Sequence, residues 1–179
     1  MKKPILSIVG PNKSQSSPLH ERRARDAGRM AVELGFRVMT GGEKGVMRAA
    51  FVGAKTAKNY ASGDTIALCP RDDPDKRCLA DIIICTGLGH ARNFIMAHGD
   101  AVLAIGGGAG TMTEIAFAWG QNRPVLAFSG KGSAGLLAGK RLDTRRPADR
   151  VIAINSEADL RRHLSRLGKQ LARGSTKRA

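Results

Sequence analysis

No stretch of this chain approaches the roughly 20 consecutive apolar residues that span a bilayer. No membrane partner is therefore expected. The apolar run Ile5–Val9, which follows Lys2 and Lys3, is too short for a signal-peptide core, and the expected compartment is the cytoplasm. Cysteine is scarce. Cys69, Cys78 and Cys85 make an odd count with no CxxC pair, which fits reduced thiols better than a disulfide framework. A site built from Cys78, Cys85 and His90 matches no zinc spacing, and no HExxH occurs among the four histidines, so no metal is expected. No GxxxxGK[ST] is present, which argues against a Walker-type NTPase. Aromatics are only 4% of the residues, so stacking platforms for single-stranded nucleic acid are few. Helix-turn-helix and zinc-finger patterns are absent too. Acidic residues are also in short supply: 15 against 30 lysines and arginines, for a formal charge of +15.

That charge invites a nucleic-acid reading, since neutralisation of phosphates drives such binding. The plainer reading is a solvated basic surface. Part of it lies at the end of the chain, in Arg161, Arg162, Arg166, Lys169, Arg173, Lys177 and Arg178. Nucleic acid is kept as a weaker alternative.

A length of 179 residues, 42% of them hydrophobic, suits one domain with a proper core. Residues 1–173 are read as that domain and 174–179 as a flexible basic tail. Seven short apolar runs alternate with helical patterns: Ile5–Val9, Phe36–Met39, Thr65–Cys69, Ile82–Cys85, Val102–Ile105, Val125–Phe128 and Val151–Ile154. Continuous Val/Ile/Leu runs imply parallel strands covered on both faces. The alternation implies a Rossmann-like, doubly wound parallel α/β sheet of about seven strands, with helices on both faces. Helices are expected over 19–34, 45–58, 90–98 and 111–120. A last one is capped by Ser156, and its apolar stripe is Leu160, Leu164, Leu167 and Leu171.

The most informative segment joins the fifth run to Gly106-Gly-Gly-Ala-Gly-Thr-Met-Thr-Glu114. Glycines between a strand and a helix let a ligand approach main-chain N–H groups closely. The helix N-terminus adds unpaired donors and partial positive charge. Gly107, Gly108, Ala109, Gly110 and Thr111 are the expected phosphate cradle. Glu114 lies about one turn into an apolar helix, where a carboxylate needs a partner or a task. Arg92 begins another helix and offers a guanidinium fork suited to phosphate or carboxylate. Gly41, Gly42 and Gly45 follow the second strand, so they belong on the same sheet edge. Gly130-Lys-Gly-Ser-Ala-Gly135 is a literal GxGxxG, but its helix is short and no clear ribose-binding acid follows it, so a dinucleotide site is not favoured there.

Three segments carry a resemblance. Gly107-Gly-Ala-Gly-Thr-Met-Thr-Glu114 resembles the P-G-G-x-G-T-x-x-E signature of the Lonely Guy family. Thr40-Gly-Gly-Glu-Lys-Gly-Val-Met47 resembles its first glycine loop. Gly89-His-Ala-Arg-Asn-Phe-Ile-Met96 resembles its M-x-x-R-K segment. The three stand in the same order and span about residues 5–155. The superfamily also takes in molybdenum-cofactor carriers and the fold of the DNA-processing protein A. Two positions depart from the pattern: Gly106 stands where the signature has proline, and Asn93 where it has lysine. Ser129–Gly135, followed by Asp143-Thr-Arg145, looks more like the carrier-related branch.

The resemblance implies a nucleoside 5′-monophosphate phosphoribohydrolase. Glu114 and Arg92 would be its catalytic residues, and it would need no metal or cofactor. Its substrate would be AMP or a cytokinin riboside monophosphate. That is the leading expectation; the alternative is a carrier that binds molybdenum cofactor or another phosphorylated pterin or nucleotide without turnover. A third reading is a nucleic-acid-associated module like the DNA-processing protein. The resemblance also implies a homodimer, with Phe94–Met96 and Ile115–Trp119 as the apolar surface.

Overall fold

The computed structural model describes residues 3–76, 78–144 and 149–175, with no side-chain description for 173–175. Seven parallel strands form one sheet: β1 (Ile5–Val9), β2 (Arg37–Thr40), β3 (Thr65–Cys69), β4 (Ile82–Cys85), β5 (Ala101–Ala104), β6 (Val125–Phe128) and β7 (Ile152–Ile154), in the order β4-β3-β2-β1-β5-β6-β7. The chain builds outward from β1 to one edge and then returns to pair β5 with the other side of β1. The strand order therefore reverses between β1 and β5, and a crevice opens beyond the carboxyl ends of these two strands.

Period-two alternation sends the strand side chains to two cores. Leu6, Ile8, Val38, Leu103, Leu126 and Ile154 join one buried cluster with residues of α1 (Pro18–Glu33), α2 (Val46–Ala54) and the last helix, Glu157–Ser175. Val9, Met39, Val102, Ala104, Val125 and Ala127 face the other, beneath α3 (Asn93–Met96), α4 (Ala109–Gly120) and α5 (Gly132–Leu137). We number the last helix α6. Its buried Leu160, Leu164 and Leu167 each contribute roughly 1.5–3 kcal/mol of apolar burial. α1 starts at Ser17, whose hydroxyl accepts from the His20 N–H while the His20 ring accepts from the Ser17 N–H. α1 and α2 cross closely because both carry a glycine at the crossing. A Cβ on Gly28 would lie 2.0 Å from the Ala50 carbonyl oxygen, and one on Gly53 would lie 1.8 Å from that of Arg25.

Four expectations are corrected. β4 is an edge strand, and Ile82, Ile83 and Ile84 are each 40–46% exposed rather than covered on both faces. The helix expected over 45–58 ends at Ala54, because Thr56 and Ala57 close tight turns onto the Gly53 and Ala54 carbonyls. The helix expected over 90–98 is a 3-10 turn, Gly89–Arg92, running into the single-turn α3. α6 continues to Ser175, two residues beyond the expected fraying point. Arg145 and residues 176–179, including Lys177 and Arg178, lie outside the described residues.

Candidate functional site

A cleft of about 330 Å³ occupies the crevice at the strand reversal. Its walls come from the loop after β1 (Gly10–Asn12), the loop after β2 (Gly41 and Glu43), Arg92 and Asn93, and the start of α4. The N-cap of α4 is Gly108, which has no side chain to cap the first turn. The leading N–H groups of a helix have no partner inside it. At this turn Gly108 and Ala109 are exposed, and nothing lies within 4 Å of a Cβ built on Gly108 and only Asn93 Nδ2, at 3.9 Å, of one on Gly110. The cradle is therefore accessible to an anion.

Of the residues singled out by sequence, Gly41, Arg92, Gly108, Ala109, Gly110, Thr111 and Glu114 line this cleft together. Gly107 sits behind it: a Cβ there would lie 2.1 Å from Thr111 Oγ1. Gly42 faces a neighbouring cavity. Gly45, at φ +66, lets the 11–13 loop cross it closely, since a Cβ would lie 2.6–2.8 Å from that backbone.

The charged centre is built around one guanidinium. Arg92, only 6% exposed, points Nη2 at Glu43 Oε2, 3.3 Å away, and donates from Nη1 to Asn93 Oδ1 at 2.9 Å. Glu114 Oε1 lies 4.0 Å from Nη1. Arg92 Nε is buried and has no hydrogen-bond partner among the described residues. Burial pushes the Glu114 carboxyl up to about 7; Arg92 holds it down in part, and Glu43 adds to the rise. At neutral pH this carboxyl exchanges a proton easily, the condition a general acid or base needs.

Asn93, at the lysine position of the Lonely Guy pattern, has a physical role. Its amide accepts from Arg92, and its Nδ2 donates to Thr113 Oγ1 at 2.9 Å. Thr113 in turn donates to the Gly110 carbonyl at 2.7 Å. The guanidinium and the cradle are thereby fixed to each other. The second departure is steric. Gly106 has φ +59, and a Cβ there would meet the His20 ring at 2.6 Å. Proline, locked near φ −65°, does not fit that backbone.

The literal GxGxxG contributes a support and lines neither cavity. The Ser133 and Ala134 N–H groups donate to the Gly107 and Gly106 carbonyls, each at 2.9 Å, and Ser133 Oγ donates to the Gly108 carbonyl at 2.8 Å. Gly132 must lack a Cβ because the Gly107 carbonyl oxygen would lie 2.6 Å from it. Among the wall residues that escaped sequence reading are Asn12 and Glu43. Asn12 lay in a loop seen only as long and polar. Glu43 carried a signal, a lone carboxylate inside a glycine turn. The three cysteines gather under Gly42: a Cβ there would lie 2.7 Å from Cys69 Sγ and 3.7 Å from Cys78 Sγ. Cys85 is the register partner of Cys69 across β3 and β4. Burial, reinforced by Cys78 and Cys85, pushes the Cys69 thiol up to about 12. Among the described residues no group of three or more His, Cys, Asp and Glu side chains is arranged to hold a metal ion.

An open doubly wound sheet with an uncapped glycine cradle at its strand reversal defines a Rossmann-like α/β protein. More narrowly, residues 3–164 match the model of the SLOG cluster4 family, and the chain belongs to that family. The molybdenum cofactor binding protein of the phototrophic bacterium Rippkaea orientalis is similar in structure: TM-score 0.77, 30% identity, covering 93% of this chain and 98% of that one. The Moco carrier protein of Chlamydomonas reinhardtii is similar with TM-score 0.78 and 30% identity over 94% and 99% of the two chains. An uncharacterised protein of Archaeoglobus fulgidus is 39% identical over 108 residues, 60% of this chain and 69% of its own length.

Proposed function

We propose that this protein binds a phosphorylated pterin or nucleotide, with molybdenum cofactor as the leading cargo, and acts as a carrier. The observation that carries the reading is the open cradle at Gly108–Thr111 in a cleft of about 330 Å³. The likeness to molybdenum cofactor binding and carrier proteins over nearly their whole length supports it. The uncapped N–H groups of α4 would hold the phosphate. Arg92, Asn93 and Asn12 would meet the polar edge of the heterocycle, and Val9, Pro11 and Met47 its apolar face. The cargo supplies its own chemistry elsewhere; here the chain's residues bind it, orient it and shield it. The test is to purify the protein from a host that makes the cofactor and measure pterin fluorescence after release. A stoichiometric fluorescent pterin supports the reading, and its loss in Gly108→Val places it at the cradle. A folded protein that carries no pterin and takes up none in vitro refutes it.

A second reading has one observation in its favour, the Glu114 carboxyl pushed up to about 7 beside Arg92. This is suitable for assisting water attack at the anomeric carbon of a nucleoside 5′-monophosphate, with Arg92 steadying the ribose phosphate and no metal required. Incubation with AMP and isopentenyladenosine monophosphate tests it: release of free base that Glu114→Gln abolishes supports hydrolysis, and none refutes it.

A further inference from the structure

Glu114 lines the cleft and is only 8% exposed. Among the described residues its carboxyl makes no hydrogen bond, and its one ion-pair contact is the 4.0 Å approach to Arg92 Nη1. That guanidinium is engaged more closely elsewhere, by Glu43 at 3.3 Å and by Asn93 at 2.9 Å. The remaining charged or titratable side chains lining the cleft are Glu43, which is a like charge, and His90, which is exposed. α3, α5, β5 and β6, packed against α4, carry no ionisable side chain. His20 of α1 lies against Gly106, before the glycine turn. Side chains on a helix lean toward its N-terminus, so Glu114 leans toward the Gly108–Thr111 turn that opens its own helix. An anion held there and an ionised Glu114 would be like charges in one cleft, an arrangement that favours the protonated carboxyl. A protonated carboxyl is also a donor, and its bond to an anionic oxygen is of the short, strong kind.

We infer that Glu114 meets the ligand as a neutral carboxylic acid, donating its O–H to the phosphate ester or to an acceptor beside it, so that the cleft takes up a proton with its cargo and loosens its grip as the solution turns alkaline. This rests on the reading of Gly108–Thr111 as a phosphate cradle, and it adds how that site is regulated. The carboxyl is already pushed up to about 7, and an anion beside it raises it further. Above pH 7 binding must first restore the proton, which weakens affinity by about tenfold per pH unit.

The experiment is calorimetric titration of the whole protein with AMP at about pH 7 and about pH 8.5. A phosphate ester, with a second pKa near 6, is mostly a dianion throughout this range, so its own ionisation adds little. Native protein should bind roughly tenfold more weakly at the higher pH. Heats measured near pH 8 in Tris and in HEPES should report about one proton taken up per AMP bound. Glu114→Gln should lose both effects and bind more tightly than native protein at pH 8.5. His90→Gln should keep both. Equal native affinity at the two pH values overturns the inference and leaves the cradle reading intact. So does proton uptake that survives in Glu114→Gln or vanishes in His90→Gln. If AMP does not bind, protein loaded with pterin in a cofactor-making host is dialysed at the two pH values: lower retention at pH 8.5 supports the inference and equal retention overturns it. A folded protein that neither binds AMP nor carries pterin refutes the cradle reading, and this inference with it.

Discussion

Glu114→Gln should make the protein more stable at alkaline pH, and the reason lies in where the carboxyl sits. Glu114 is 8% exposed, and its charged neighbour Arg92 is 4.0 Å away and already engaged by Glu43 at 3.3 Å. Its carboxyl is raised from an ordinary value near 4.5 to about 7. The folded state therefore holds this proton more tightly than the unfolded chain does. Between about pH 4.5 and 7 the unfolded chain has released the proton and the folded protein has not, so stability falls as pH rises and levels off above 7. At about 1.4 kcal/mol per pH unit, the penalty reaches roughly 3 kcal/mol at pH 8. Glutamine keeps the shape and cannot ionise. Arg92 keeps Glu43, so no charge is orphaned by the change. The expected gain is up to about 3 kcal/mol at pH 8, or about 6–12 °C in Tm for a chain of this size, vanishing at pH 4.5. Thermal denaturation of both proteins across pH 4.5–8.5 checks this. Equal pH dependence of the two proteins, or a variant less stable at pH 8, would refute the account of a carboxylate strained by burial.

Asp81 works in the opposite sense. Partial burial favours its neutral form, but hydrogen bonds from Tyr60, Lys55 and Thr65 outweigh this and hold the carboxyl below the usual range. Its contribution is present above about pH 4 and is lost as pH falls through the depressed value. Asp81→Asn should cost about 1.5–3 kcal/mol at pH 7, and urea unfolding should show the difference shrinking below pH 4. Gly132→Val would drive a Cβ into the Gly107 carbonyl at 2.6 Å, against a φ of +80; ligand affinity should drop at least tenfold with the far-UV spectrum kept. Ser133→Ala removes the 2.8 Å bond to Gly108 and should weaken binding about fivefold, the equivalent of roughly 1 kcal/mol. Phe94, Ile95, Met112 and Phe117 are 38–49% exposed, and the Phe94 and Phe117 rings meet edge to face at 5.4 Å. Sedimentation should find a homodimer that Phe94→Glu/Phe117→Glu separates; a native monomer at micromolar concentration rules the dimer out.

The sheet was legible because most strands are short, largely apolar runs and each glycine cluster falls where a strand ends. β4 misled for the same reason: Ile82–Ile84 reads like a central strand, and only the strand order puts it at the edge. Gly108, Gly110 and Thr111 could be placed from local pattern alone, since strand, glycine turn and helix are contiguous. The Arg92–Glu43 pair could not, because it joins residues 49 apart in sequence. Nor could the exposed apolar surface of α3 and α4 be resolved to residues. Ile115, Ala118, Trp119 and Met96 turn out to pack in the core, while Phe94, Ile95, Met112 and Phe117 of the same helices face outward.

The contacts from Ser133 and Ala134 to the 106–108 backbone bear on how such a loop can be moved between proteins. The string from Gly106 to Glu114 looks transplantable: cut out, it contains the whole glycine turn and the N–H donors of the helix start. Its curvature, however, is imposed from outside by a segment some 25 residues further along the chain. A graft of 106–114 onto another strand–helix junction would bring the donors without the brace, and the loop would relax to whatever shape its new neighbours allow. The transferable unit is the pair of segments together with the β6 strand that sets the distance between them.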